Sequence, residues 1–305
     1  MTLILPTELL LDIRDCFGEW DLRTHVCYYL SHPSIAAIYE TAEDPDAFWA
    51  LICWHCGIGS LPTERQIRWK DVALRSIISD GFCKHPQCGE ALLESNRRRM
   101  LDVSQDVQPF QPLRIRDYEH ESAPESHPIF SHIRFRRYGD LFRPQTVLKD
   151  AHLTYPSGTD APKAKTATDI WGTYNVEPPD DYPGLYLADH PLVQRSFATF
   201  APVTSMLLLN LCGHTVRERL LTGTRALTVV DVLNAMHPEL DHVLNMDEVR
   251  EYVDLHVQCF PKDWDYKAAF RTLRTIRSCL NICPLKRLEH QENTEFGPAF
   301  SFVQA

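Results

Sequence analysis

The stretch that most constrains this chain is its first 56 residues. Leu5-Pro6-Thr7-Glu8-Leu9-Leu10-Leu11-Asp12-Ile13 opens with a proline. Proline suits the first turn of a helix, where its missing N–H would have no intrahelical partner in any case. Leu9, Leu10, Ile13 and Phe17 fall at i, i+1, i+4 and i+8, which is one helical face. Gly18 ends that helix. Asp21 is a good cap for a second, in which Leu22, Val26 and Leu30 repeat at i, i+4 and i+8. Pro45 starts a third, which carries Phe48-Trp49 and Leu51-Ile52 and runs to about Trp54. Such a unit either buries its apolar stripe in its own core or leaves it exposed for a partner.

The pattern Leu5-Pro6-x-Glu8-Leu9-Leu10-x-x-Ile13, then Asp21-Leu22 and Val26-Cys27, then Phe48-Trp49, resembles the F-box motif. The resemblance implies a three-helix module that docks on the Skp-family adaptor of cullin–RING ubiquitin ligases. Its partner-binding residues would be Leu5, Pro6, Leu9, Leu10, Ile13, Leu22 and Val26. Two features depart from the family. Tyr28-Tyr29 stand where basic residues usually follow Val-Cys, and Ser31-His32-Pro33 with the acidic stretch Glu40–Asp46 interrupts the approach to the third helix. The other reading keeps these helices as an ordinary core hairpin.

Composition narrows the class. The 305 residues suffice for two domains or one large one, and 44% hydrophobic with 24% charged residues is ordinary for a globular chain. The net charge of −10 argues against general nucleic-acid or anionic-membrane binding. No apolar run approaches the ~20 residues of a membrane span. With Glu8 and Asp12 and no basic leader, the N-terminus does not read as a signal peptide. Ten scattered cysteines then read as reduced and mostly buried thiols, in the cytoplasm or nucleus.

Further along, Trp69, Val72, Ala73, Ser76 and Ile77 predict a helix that stops at Asp80-Gly81, and Glu90–Met100 predicts another with a basic end, Arg97-Arg98-Arg99. Residues 101 to 183 hold 10 of the 21 prolines and read as a partly ordered connector. Within it Ile129–Tyr138 alternates like a strand. Val203–Leu211 predicts a strand and Thr215–Leu221 a returning one. Thr228 with Asp231, and Asn245 with Glu248, predict two capped helices. Tyr266 to about Cys283 predicts one basic helix, and Phe296–Val303 a last strand, placed at an edge by Gly297-Pro298. The fold class is therefore α+β: an F-box-like helical module (1–56), a helical extension (57–100), a proline-rich connector (101–168) and a C-terminal mixed α+β domain with a small antiparallel sheet (169–305). Trp171, His190-Pro191-Leu192, Phe197–Val203 and Leu227-Thr228-Val229-x-Asp231-Val232-Leu233 resemble an α+β domain found in proteins of mushroom-forming fungi, a family that carries no chemistry over.

Motifs for catalysis are weak. Cys53-x-x-Cys56 and Cys83-x4-Cys88 could close a tetrahedral zinc site, with His55 or His85 as substitutes, but the first pair sits at helical spacing beside Trp54 and reads better as buried thiols. Gly57-Ile58-Gly59 lacks a third glycine and the strand-to-helix setting of a dinucleotide site. Cys83 and His85 are too close in sequence to serve as nucleophile and base without a third group. Five of the fourteen histidines directly precede proline, which favours extended or turn positions. The sequence thus predicts a non-catalytic adaptor without cofactor or metal, with a Skp-like protein and an unknown target as partners. The alternative is a fungal α+β interaction protein whose first helices are only core.

Overall fold

The computed structural model describes residues 5–18, 20–41, 43–64, 67–81, 88–103, 124–136, 146–153, 186–210, 219–260 and 265–304. Within them the fold is α+β. Six helices come first: α1 (Thr7–Asp15), α2 (Leu22–Ser31), α3 (Pro33–Glu40), α4 (Pro45–His55), α5 (Trp69–Asp80) and α6 (Cys88–Val103). Caps set their starts. The Asp21 carboxylate accepts from the Thr24 N–H at 3.0 Å, and Asp44 accepts from the Ala47 N–H at 3.0 Å.

One of these helices was not foreseen. Ser31-His32-Pro33 is a helix boundary, with α2 ending at Ser31 and α3 starting at Pro33. The proline holds His32 in an extended conformation, φ −159° and ψ 143°, and the imidazole accepts from the Ser34 N–H at 3.1 Å. His127 repeats the device before Pro128, accepting from the Ile129 N–H at 3.0 Å. Histidine followed by proline is here a helix-start signal. Among the described residues His190 also stands at a helix start, and His237 is itself helical.

The prolines of 101–168 do not exclude that segment from the core. β1 (Glu125–Ser126), a 3-10 turn (Pro128–His132), β2 (Ile133–Phe135), α7 (Val147–Asp150) and β3 (Ala151–Leu153) all belong to it. Ile129, Phe130, Ile133, Phe135, Val147 and Leu153 are buried. The strand expected over Ile129–Tyr138 is thus half 3-10 turn, and its part beyond Arg136 lies outside the described residues.

Beyond residue 186 come α8 (Pro191–Arg195), β4 (Thr199–Phe200), β5 (Ser205–Asn210), β6 (Arg219–Thr222), α9 (Val229–Met236), α10 (Met246–Leu255), α11 (Tyr266–Thr272), α12 (Ile276–Ile282), β7 (Leu285–Thr294) and β8 (Gly297–Gln304). The four-stranded sheet runs β6-β5-β8-β7, with antiparallel outer pairs and a parallel central pair. Both expected helix caps form: the Thr228 N–H donates to Asp231 at 2.8 Å and the Asn245 N–H to Glu248 at 2.7 Å. The single helix expected over Tyr266–Cys283 is two, because Thr275 adopts extended backbone and caps α12. β8 is an inner strand and not an edge. Pro298 is tolerated because it faces only Asn293 of β7, and pairing with β5 begins one residue later at Ala299.

One apolar core contains Leu10 and Val26 at one end of the chain and Phe300 and Phe302 at the other. The seam is Gly57-Ile58-Gly59. Ile58 pairs with Ser196 in an antiparallel bridge, the Phe197 N–H donates to Gly57 O at 2.8 Å, and the Gly59 N–H donates to Arg195 O at 2.7 Å. On its other side Phe197 pairs with Thr228. Gly57 has φ +64°, and a Cβ on Gly59 would come within 2.9 Å of the Thr228 methyl, so this spacing needs glycine twice.

Beside the seam the Arg195 guanidinium grips both Glu64 oxygens, with Nη1–Oε2 at 2.6 Å and side chains 7% and 13% exposed. Burial pushes the Glu64 carboxyl up, and the hydrogen bonds from Arg195 and the Leu61 N–H outweigh it, holding the group below its ordinary value. A depressed carboxyl stabilises the fold above its unfolded value and loses that contribution as pH falls through the folded one. Glu64→Gln should destabilise the chain by about 3 kcal/mol at neutral pH, because it strands a buried guanidinium. Urea unfolding should show the gap to wild type closing under acid conditions, once the native carboxyl is protonated.

Candidate docking surface

α1 has two apolar lines. Leu10 points inward and is 2% exposed, and Phe17, seven residues on, packs edge-on against His25 and Tyr28 with ring centroids at 5.4 and 5.1 Å. Leu5, Leu9 and Ile13, spaced by four, point outward and are 49%, 46% and 38% exposed. Pro6 is exposed with them, and so are Glu8 and Asp12. Within α1 the four-residue spacing puts Leu9 and Ile13 about 40° apart, while Leu10 lies about 100° from Leu9 and about 60° from Ile13, and Leu5 precedes the Pro6 cap.

The inner line is anchored by aromatic side chains. The Tyr28 hydroxyl donates to Leu10 O at 3.1 Å, fixing α2 to the backbone of α1. Tyr39 of α3 stacks on Trp49 of α4 with centroids 5.3 Å apart, and its hydroxyl lies 3.0 Å from His25 Nδ1. Burial holds the Tyr39 phenol well above its ordinary value and pushes the His25 imidazole below its own, so both are neutral. The Tyr28-Tyr29 pair therefore has a structural use. Tyr28 braces α1, and the Tyr29 hydroxyl donates to Glu40 of α3 at 2.7 Å.

The seven residues singled out by the sequence divide in two. Leu5, Pro6, Leu9 and Ile13 are accessible to another molecule. Leu10, Leu22 and Val26, at 2%, 1% and 0% exposure, lie in this chain's own core and support the ridge from beneath. The i, i+4, i+8 repeat of Leu22, Val26 and Leu30 does not mark one buried face either, since Leu30 is exposed.

The other candidates are absorbed by structure. Cys53 and Cys56 are sealed in the core on and just after α4, and the Cys56 Sγ lies 3.1 Å from Trp20 O. Burial pushes the Cys53 thiol far up and the Cys56 thiol up to about 12, so neither offers a thiolate. Cys83 and His85, and the side chain of Cys88, lie outside the described residues. Among the described residues no three His, Cys, Asp or Glu side chains gather as a metal site. The basic run is paired: Arg97 and Arg98 bind Glu94, and Arg99 binds Glu125 at 2.7 Å. Arg134 donates to the Ser131 and Ile133 carbonyls, and Arg136 lies over the Tyr186 ring at 4.6 Å.

Two buried polar networks escaped the sequence reading. His127 bridges to Asn96 at 2.8 Å, and Asn96 donates to the Ser196 hydroxyl at 3.1 Å. Burial, then the nearby Arg99 and His132 charges, push the His127 imidazole down to about 3, so this link is a neutral strut. Asp150, fully buried, accepts from Arg277 at 2.7 and 2.8 Å and lies 2.9 Å from His237 Nε2. Partners 31 to 127 residues apart leave no local sequence signal.

Among the described residues no helix is long and apolar enough to cross a membrane. Comparison with protein-family models, with curated proteins and with solved structures finds no match. Thiol labelling of the native chain, mapped by mass spectrometry, should modify Cys16 and Cys27, which are exposed, and spare Cys53, Cys56, Cys279 and Cys283 until denaturant is added. Rapid labelling of Cys53 or Cys56 in the native state would contradict the packing of α4.

Proposed function

We propose that this chain is a non-catalytic adaptor: an F-box-like substrate-recognition subunit that docks on a Skp-family protein of a cullin–RING ubiquitin ligase and presents its remaining surface to a target. The observation that carries the reading is the exposure of Leu9 and Ile13 on α1 and of Leu5 and Pro6 just before it, beside a Leu10 that is buried. Large apolar side chains at such exposure are what a helix and its leading turn present when a second polypeptide is meant to cover them. In this reading the protein works in the cytoplasm or nucleus and needs neither cofactor nor metal. The target would meet another part of the surface, and Val243, Met246, Leu255, Val257 and Tyr266, exposed on and beside α10 and α11, are the first residues to examine.

A second reading has its own support. Leu10, Leu22 and Val26 belong to a core continuous with that of the C-terminal half, which fits N-terminal helices that serve only as packing in an interaction protein of the fungal α+β type. The two readings separate by direct binding to a purified Skp-family adaptor.

On the docking reading, Leu9→Asp and Ile13→Asp each abolish capture of that adaptor and shift folding stability by no more than about 0.5 kcal/mol, as expected for exposed positions. Leu10→Asp instead costs several kcal/mol, because it buries a carboxylate without a partner. Capture and urea unfolding, measured on the same three proteins, check both halves. Retention of the adaptor by both exposed-site variants would sink the docking reading.

A further inference from the structure

His25 lies where the four N-terminal helices meet. On α2 itself, it packs edge-on against Phe17, in the turn that closes α1, at 5.4 Å and against Phe48 of α4 at 5.2 Å. Tyr39 of α3 places its hydroxyl 3.0 Å from Nδ1. The side chain is 2% exposed, and Nε2 is sealed from solvent without a hydrogen-bonded partner. A neutral imidazole has one N–H and one acceptor, but an imidazolium has two donors and a charge to accommodate. The Tyr39 hydroxyl meets Nδ1, and the nearby Gly18 carbonyl makes no hydrogen bond to Nε2, so protonation leaves a cation among aromatic rings with too little to compensate its burial.

We propose that His25 is an acid-sensitive latch on α1: when it takes a proton, the packing that holds the docking helix against α2, α3 and α4 loosens, and the outer leucine line is no longer presented. The consequence for docking rests on the function proposed above; the loosening itself does not.

The charges around the ring decide the sign. Burial is the largest influence and opposes the proton. The Gly18 carbonyl and the Asp21 carboxylate at the start of α2 favour it, Arg14 of α1 opposes it, and Asp15 of α1 favours it more weakly. Tyr39 faces the ring from α3 as a phenol kept neutral by burial, and α4 contributes the apolar Phe48. Burial prevails and the native imidazole lies below its ordinary 6.5. The open state therefore takes the proton first. The packing is fully stable above that value and weakens as pH falls below it, until the native group itself protonates.

The test is hydrogen–deuterium exchange of the α1 amides in the full chain at about pH 7.5 and about pH 5.5, corrected for the intrinsic effect of pH on exchange. Each unit of separation between the open-state and native values is worth about tenfold in the opening equilibrium. Wild type should lose several-fold, and at most about tenfold, of its α1 protection on acidification, and His25→Gln should not. If His25→Gln fails to fold, His25→Phe, which keeps the ring contacts and cannot titrate, replaces it. Equal losses in wild type and variant, or no loss in wild type, overturn the latch, as does a His25 ring that titrates at its ordinary value by NMR. Capture of a purified Skp-family adaptor at both pH values separates this from the docking reading. Acid-loosened α1 with no capture at either pH removes the docking function and leaves the latch standing.

Discussion

The Glu64–Arg195 pair joins segments 131 residues apart, inside a fold where a stranded charge is costly. It sits beside the three-residue seam at Gly57-Ile58-Gly59, and together they fix the helical first third of the chain to the α+β remainder. The seam brings main chain to main chain. Ile58 pairs with Ser196 and Phe197 with Thr228, so the 196–197 segment is a shared central rung. A ladder this short has few hydrogen bonds of its own, and the ion pair gives it directional grip. Asn96, reaching Ser196 and His127 at once, ties α6 and the proline-rich segment to the same rung.

That union explains how α1 can carry an exposed apolar line without collapsing onto it. The core already has its aromatic filling: Tyr39 on Trp49, and Phe17, Tyr28 and Phe48 around His25. Leu10 completes it from α1, and the Tyr28 hydroxyl holds the Leu10 carbonyl. Leu9 and Ile13 lie about 100° and about 60° round the nine-residue helix from Leu10, far enough for them to face solvent while Leu10 faces the core, and Leu5 stands before the Pro6 cap. The exposed line is a consequence of rigid support from beneath.

Much of the fold was legible where signals are local. Asp21, Asp44, Asn245 and Thr228 announce helix starts because a cap is decided within three residues. Val203–Leu211 reads as a strand from its apolar density, and β5 forms there and pairs antiparallel with Arg219–Thr222; residues 211–218, with the expected turn and the first part of the strand expected over Thr215–Leu221, lie outside the described residues. Legibility failed where a neighbour overrides local preference. β7, with the polar sequence LKRLEHQENT, is a strand because β8 pairs along it, and nothing in its residues favours that over a loop. The 101–168 segment reads as a connector from its prolines, yet Ile129, Phe130, Val147 and Leu153 are core because distant helices provide them with an apolar bed. For the candidate site, the heptad-like mixture of Leu5, Leu9, Leu10 and Ile13 establishes an amphipathic helix but not which leucines face out.

By itself the sequence determined the α+β class, the positions of most helices, and a set of apolar residues on the first helix. Those depend on backbone preference and on periodicity, which act over a few residues. Tertiary structure alone decided that Leu10, Leu22 and Val26 are interior while Leu5, Leu9 and Ile13 are not, that Glu64 belongs to Arg195 and Asp150 to Arg277, and that β8 is central. Burial and long-range charge pairing are properties of what lies across the core, and no local pattern specifies which distant segment that will be.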